Sequence, residues 1–155
     1  MSVTARLAEL GIELGSVVPP LAAYILAKVH GDLVYTSGQL PMVDGAMPAT
    51  GKVGDGEGYV SADEAASLAR QCALNAIAAA AAAVGGVDRL TGVVKVTGFV
   101  ASAPEFTGHP AVINGASTVL GEIFGDAGRH ARSAVGVAAL PIDSPVEVEV
   151  VFSLS

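Results

Sequence analysis

Apolar and polar positions alternate with two periods along this chain, and the switches between periods mark its elements. Residues 2–10 place Val3, Leu7 and Leu10 on one helical face, and Pro19-Pro20 ends this lead-in. Ala22–Val29 and Leu33–Ser37 read as two strands joined at His30-Gly31-Asp32, whose residues suit a hairpin turn. Leu40–Val60 is rich in Gly, Pro and Asp and predicts a long surface loop, a kind of segment that often carries function. Ser61-Ala-Asp-Glu64 has the spacing of a capping box, in which Ser61 caps the backbone at Glu64 and Glu64 reaches back. It opens a helix that runs to about Val84 and stops at Gly85-Gly86. The alanine-rich surface of this helix allows another element to pack close.

The second half repeats the logic. Leu90–Ser102 predicts a strand, with Val94, Val96, Gly98 and Val100 alternating against Val93, Lys95, Thr97 and Phe99. Ser102-Ala-Pro-Glu105 has the spacing of a second capping box. Pro110 starts a second main helix, in which Val112, Ile113, Ala116, Val119, Leu120 and Ile123 recur at helical spacing, and Gly125 and Gly128 end it. Arg132–Leu140 and Val146–Leu154 predict the last two strands, connected through Pro141-Ile-Asp-Ser-Pro145. The order ββαβαββ is an α+β pattern, with helices packed on one face of a mixed sheet. No internal repeat or linker divides the 155 residues, so a single domain over 1–155 is expected, with 1–17 as its lead-in.

Composition narrows the function classes. The chain is 52% hydrophobic, but much of this is alanine, and the longest unbroken apolar runs resemble Ala76–Val84. They fall short of the roughly 18–20 apolar residues of a membrane span, and the N-terminal stretch has no signal-like apolar region. The net charge of −7, with eight Lys and Arg spread along the chain, disfavours a nucleic-acid surface. A single cysteine, Cys72, excludes an intrachain disulfide and suits a reducing cytoplasm. Its position in a helical pattern reads as a small buried hydrophobe. No His, Cys and carboxylate cluster has metal-ligand spacing, so no metal site is expected.

Against this apolar background one arginine stands out. Arg132 opens the run His130-Ala-Arg-Ser-Ala-Val-Gly-Val-Ala-Ala-Leu140-Pro141. A cation in such a stretch needs an anionic partner, because an unpaired buried charge costs several kcal/mol by rough estimate. Arginine is also the side chain best shaped to grip a carboxylate through two parallel hydrogen bonds. Alternation puts Arg132, Ala134, Gly136 and Ala138 on one face, whose small neighbours leave room for a ligand or a second subunit. Glu147 and Glu149 share a face of the last strand, and if the two strands are neighbours a carboxylate lies near Arg132. Two readings therefore stand: an internal salt bridge to Glu147, Glu149 or a subunit partner, or a ligand anchor. Tyr24, the Tyr35–Gln39 stretch, Asn114, His30, His109 and His130 each have an ordinary structural reading. No Ser/His/Asp series, P-loop or dinucleotide fingerprint is present.

Five segments together resemble the YjgF/Rid family, the reactive-intermediate (imine) deaminases, also described as L-PSP endoribonuclease-like. They are Leu33-Val-Tyr-Thr-Ser-Gly-Gln-Leu-Pro41, Val94-Lys-Val-Thr-Gly-Phe-Val100, Val112-Ile-Asn114, Ala131-Arg-Ser133, and Leu140-Pro141 followed by Val146-Glu-Val-Glu149. The resemblance covers roughly residues 18–154. It implies a chorismate-mutase-like fold and a homotrimer with a site in each cleft between subunits. It implies hydrolytic deamination of small 2-imino or enamine acids, of the 2-iminobutanoate and 2-iminopropanoate type, to ammonia and a 2-keto acid. Arg132 would anchor the substrate carboxylate, and Tyr24, Ser37, Gly38 and Asn114 would line the cleft. Glu147 and the backbone carbonyl of Ala134 would orient the attacking water. No cofactor or metal is implied. The expected partners are a small carboxylate-bearing metabolite and two further copies of the chain, without nucleic acid or membrane.

The chain departs from the best-known branch at Ala134, where that branch has Cys, and at His130, where it has Pro. Residues 1–17 and much of Leu40–Val60 are additions. The alternative function is a non-catalytic trimer that binds a small carboxylate through the same cleft.

Overall fold

The computed structural model describes residues 1–20 and 23–155. The N-terminal helix α1 spans Val3–Glu9, capped by the Ser2 side chain, which accepts from the Ala5 amide. Thr4 ties it to the Asp88 carboxylate through both backbone and hydroxyl, at 2.8 and 2.9 Å. Strands β1 (Ala27–His30) and β2 (Leu33–Thr36) form the expected hairpin around Gly31-Asp32. Gly31 sits at φ 61°, the left-handed value that a tight two-residue hairpin requires at its first central position. The first strand starts at Ala27, not near Ala22, and Ala22 itself lies outside the described residues.

Helix α2 runs Ala62–Val84. The Ser61 side chain accepts from the Glu64 amide, and Gly85 closes the helix in the left-handed conformation. This helix is long and apolar enough, by length and composition, to cross a membrane, although its sequence contains no unbroken run of that length. Its apolar side is buried in the domain: Ala65, Ala69, Cys72, Ala73, Ala76, Ile77 and Ala80 belong to the core cluster.

Strand β3 covers Leu90–Ala101, helix α3 His109–Phe124, strand β4 Ala131–Val137 and strand β5 Val146–Leu154. The expected second capping box does not form. Gly108 is the N-cap of α3, and the Ser102 hydroxyl instead meets His109 Nε2 at 3.0 Å. A bulge in β3 also inverts part of the predicted alternation. Its register against β5 shifts between Val93 and Lys95, so Val93 turns inward and Val94 is left exposed.

The five strands form one mixed sheet in the order β1-β2-β5-β3-β4. Strands β3 and β4 are parallel, joined by the α3 crossover, while β5 runs antiparallel to both β2 and β3. Helices α2 and α3 pack on one face, over Val34, Val96, Val100, Val146, Val148, Val150 and Phe152. Small residues set their approach. A Cβ at Gly115 would overlap the Ala66 carbonyl oxygen, so α3 touches α2 backbone to backbone. The opposite sheet face carries Tyr35, Phe99, Val135, Glu147, Glu149 and Val151, of which Tyr35, Val135 and Glu149 are exposed.

Candidate functional site

Arg132 projects toward the helix side of the sheet, paired across β3 with the fully buried Val96. Its guanidinium is half-buried against α3. Nη1 donates to Asn114 Oδ1 at 2.8 Å and to Ser117 Oγ at 3.3 Å, and Nη2 donates to the Pro110 carbonyl at 3.4 Å. All three acceptors are neutral. Pro110, Asn114 and Ser117 stand at i, i+4 and i+7, so one helix face presents them together. Among the described residues the ion pairs are Arg6–Glu9 and Arg129–Asp126, and none includes Arg132. Nε–H and one Nη2–H have no acceptor among those residues. Nε and Nη2 lie along one edge of the guanidinium plane, an edge that accepts a carboxylate side-on.

The internal salt bridge with Glu147 or Glu149 is therefore not made. Strand β3 lies between β4 and β5, and the conditional expectation that the last two strands are neighbours fails. The side chains also face apart. Val146, Val148 and Val150 point into the core, so Glu147 and Glu149 point to the opposite sheet face from Arg132. The small residues beside Arg132 serve packing as well as space. The His109 ring fills the room above Gly136, and Ile113 of α3 lies where a Cβ of Gly98 would be.

A second cluster forms at the other side of β5. After β2 the chain turns so that Gln39 exchanges backbone hydrogen bonds with Val148. This lays Gly38 against Glu147: a Cβ there would come within 2.6 Å of Glu147 Oε1. The Ser37 hydroxyl donates to the Ile25 carbonyl at 2.6 Å, and Tyr24, one residue earlier, is exposed. Burial raises the Glu147 carboxyl above its ordinary value, and the neighbouring Glu149 charge adds to the effect. The Cys72 thiol behind it is pushed well up, by burial first and by the Glu147 charge second. The adjacent loop is pinned to α2, because Asn75 Nδ2 donates to the carbonyls of Leu40 and Met42 at 2.9 and 3.0 Å.

The named residues thus fall into two groups in one chain. Arg132, Asn114 and Ala134 line the α3–β4 edge, and Ser37, Gly38 and Glu147 gather at the β2–β5 side, with Tyr24 next to the Ile25 contact. Concavities of about 280 and 450 Å³ lie around α1, lined by residues such as Asp88 and Phe124 or Leu7 and Ile12, away from both groups. Ser117 went unrecognised in the sequence, and His130 has only a structural reading there. The 110/114/117 spacing was a usable signal for Ser117, whereas nothing local shows that His130 turns back onto α3. His130 Nε2 meets Ser117 Oγ at 2.9 Å and its Nδ1 meets the Gly128 carbonyl at 2.6 Å.

The family model described as YjgF/chorismate mutase-like, putative endoribonuclease matches residues 4–154. The chain belongs to this YjgF family. Protein TCP17 of Trypanosoma cruzi is 40% identical over 154 residues, covering 99% of this chain and 94% of the relative. The crystal structure of a Shewanella oneidensis protein that carries the same endoribonuclease description is 30% identical, with a TM-score of 0.92 over 99% of this chain and 100% of that one. Escherichia coli TdcF, solved with bound serine, is 27% identical, with a TM-score of 0.59 over 91% of this chain and 92% of that one. The mixed α+β fold, with a five-stranded sheet and three helices, is that of the YjgF family.

Proposed function

We propose that this YjgF-family protein is a hydrolytic deaminase of small 2-imino acids, working in clefts between the copies of a homotrimer. The observation that carries the proposal is the Arg132 guanidinium, held by three neutral oxygens and by no carboxylate among the described residues. The bound serine of the TdcF relative is a carboxylate ligand of similar size. In this reading the substrate carboxylate docks on the Nε edge of Arg132, and Asn114 and Ala134 flank it. A second copy supplies Ser37, Gly38, Glu147 and Tyr24, which lie too far round the sheet to act within one chain.

The reaction needs little covalent help. Water adds to C2 of the protonated imine, giving a 2-amino-2-hydroxy acid. The C–N bond then breaks, ammonia leaves and takes up the hydroxyl proton to become ammonium, and the 2-keto acid remains. Glu147 takes the proton from the attacking water and returns it to the departing nitrogen, and the Ala134 carbonyl orients the water. A carboxyl whose affinity for protons is raised by burial suits this exchange near neutral pH. Arg132 contributes position, which is the main requirement for a reaction that already proceeds in water. The chain needs no cofactor or metal for these steps, and its one thiol suits the cytoplasm.

The net charge of −7 and the scattered Lys and Arg weigh against RNA as the substrate. The deciding experiment generates 2-iminopropanoate and 2-iminobutanoate with an amino-acid oxidase and follows keto-acid release. Acceleration over buffer, lost in Arg132→Ala, is expected. No acceleration with any of several amino-acid-derived imines overturns the proposal. Saturable keto-acid binding without turnover would instead identify a carboxylate-binding protein.

A further inference from the structure

His130 and Ser117 form a chain of hydrogen bonds that ends on Arg132, and chemistry fixes the direction of each bond. The Gly128 carbonyl can only accept, so His130 Nδ1, 2.6 Å away, carries a proton and donates it. In the neutral ring Nε2 then has a lone pair and no proton. The Ser117 hydroxyl, 2.9 Å from Nε2, is therefore the donor of that pair. With its single proton committed to the imidazole, Ser117 Oγ keeps its lone pairs for the Arg132 Nη1–H at 3.3 Å. A helical serine without such a partner commonly turns its proton to a backbone carbonyl one turn earlier.

The geometry ties three elements at one level. Gly128 ends the short 3₁₀ turn after α3, Ser117 lies within α3, and Arg132 opens β4. His130 is the link that the connecting segment sends back onto the helix. Arg132 is thereby held on one side by Asn114 and on the other by a hydroxyl whose orientation is set.

We infer that His130 and Ser117 are positioning residues for Arg132: the imidazole fixes the Ser117 hydroxyl so that its oxygen holds Nη1, keeping the Nε edge of the guanidinium presented to a carboxylate. The inference rests on the proposed carboxylate role of Arg132. Without the relay the guanidinium samples more rotamers, and binding must first select the productive one. The effect falls on substrate affinity more than on turnover.

Three measurements test this. First, nitrogen NMR of the imidazoles at pH 7.5, with the His130 signal assigned by its loss in His130→Ala, should show Nδ1–H and a bare Nε2. Second, the Arg132 Nη–H resonances should be resolved in the wild-type protein and averaged by rapid rotation in Ser117→Ala. Third, in imine hydrolysis Ser117→Ala and His130→Ala should raise KM roughly 5–10-fold with kcat within about twofold, because the carboxylate loses a pre-oriented Arg132 and not a direct contact. Ser117→Thr keeps the hydroxyl and His130→Gln keeps an acceptor, so both should stay within about twofold of wild type. An Nε2–H tautomer, or Arg132 signals unaffected by Ser117→Ala, overturns the inference, as does an unchanged KM in both alanine variants. If the wild-type protein neither turns over imines nor binds 2-oxobutanoate, the proposed function falls. The two NMR measurements still decide whether the relay holds Arg132.

Discussion

Arg132 and Glu147 project from opposite faces of the same sheet, with strand β3 between the strands that carry them. Neighbouring strands are spaced about 4.8 Å apart, and Arg132 lies level with Val150, three residues along β5 from Glu147, so the two side chains start roughly 14 Å apart and diverge. A reaction that uses both needs a second copy of the chain.

That requirement predicts complementation between two inactive variants. Arg132→Ala and Glu147→Ala should each lack imine hydrolysis. When the two are mixed and their subunits allowed to exchange, about one quarter of the clefts in a randomly assembled trimer receive an intact Arg132 and an intact Glu147. Recovery of activity on mixing, followed by the keto-acid assay, is the expected outcome. No recovery, with exchange verified by mass spectrometry, places the two residues outside a shared cleft. Light scattering of the wild-type protein checks the trimer itself.

Glu147 should make stability depend on pH in a definite sense. Its folded carboxyl is raised above the unfolded value, by burial first and by Glu149 second. The folded state therefore favours the protonated form. Below the unfolded value no penalty exists, and stability is lost as pH rises through the folded value. Glu147→Gln, neutral throughout, should match the wild type in acid and exceed it at neutral pH. Thermal melts at pH 4 and pH 7.5 check this, and an equal or lower melting temperature for the variant at pH 7.5 contradicts it.

Two glycines should respond differently to a single added methyl. At Gly115 the new carbon meets the Ala66 carbonyl of α2, and neither backbone can yield. Gly115→Ala should destabilise the protein by roughly 3 kcal/mol or more, read from urea unfolding. At Gly38 the new carbon meets the Glu147 carboxyl group, which is the end of a flexible side chain. Gly38→Ala should therefore displace Glu147, lowering kcat while changing the unfolding midpoint little.

Cys72 is fully buried, its Sγ lies 4.0 Å from the Val146 carbonyl, and burial pushes its thiol well above the usual range. The native protein should resist alkylation by iodoacetamide between pH 7 and 9, and modification should appear only across the urea unfolding transition. Rapid labelling of native protein would show that the α2–β5 contact opens.

Much of this molecule was legible locally. Ser61 and Gly85 bound α2 as the cap and stop residues indicated, and the Gly31 turn and the β5 limits also match. These signals act over a few residues, through one hydrogen bond or one backbone angle. Ser102 shows their limit: its spacing to Glu105 suits a cap, but His109 offers a partner and the helix begins later, at His109 itself. The β3 bulge is a similar case, because the inward turn of Val93 depends on how β5 pairs with it and not on the alternation of β3.

The candidate residues were named from the sequence, and their grouping was not. Arg132, Asn114, Ser37, Gly38 and Glu147 lie in short segments whose residues are visible in one dimension. Their division into two groups follows from strand order. The parallel β3–β4 pair needs the α3 crossover, and that leaves β5 to enter antiparallel on the other edge of β3. Periodicity and caps, which are local, therefore determined the elements and the cation at the head of β4. Only the tertiary structure decided that this cation finds Asn114, Ser117 and, through Ser117, His130 in place of a carboxylate. Which strand lies beside which is settled by burying the sheet face and both helices at once, a condition no single segment contains.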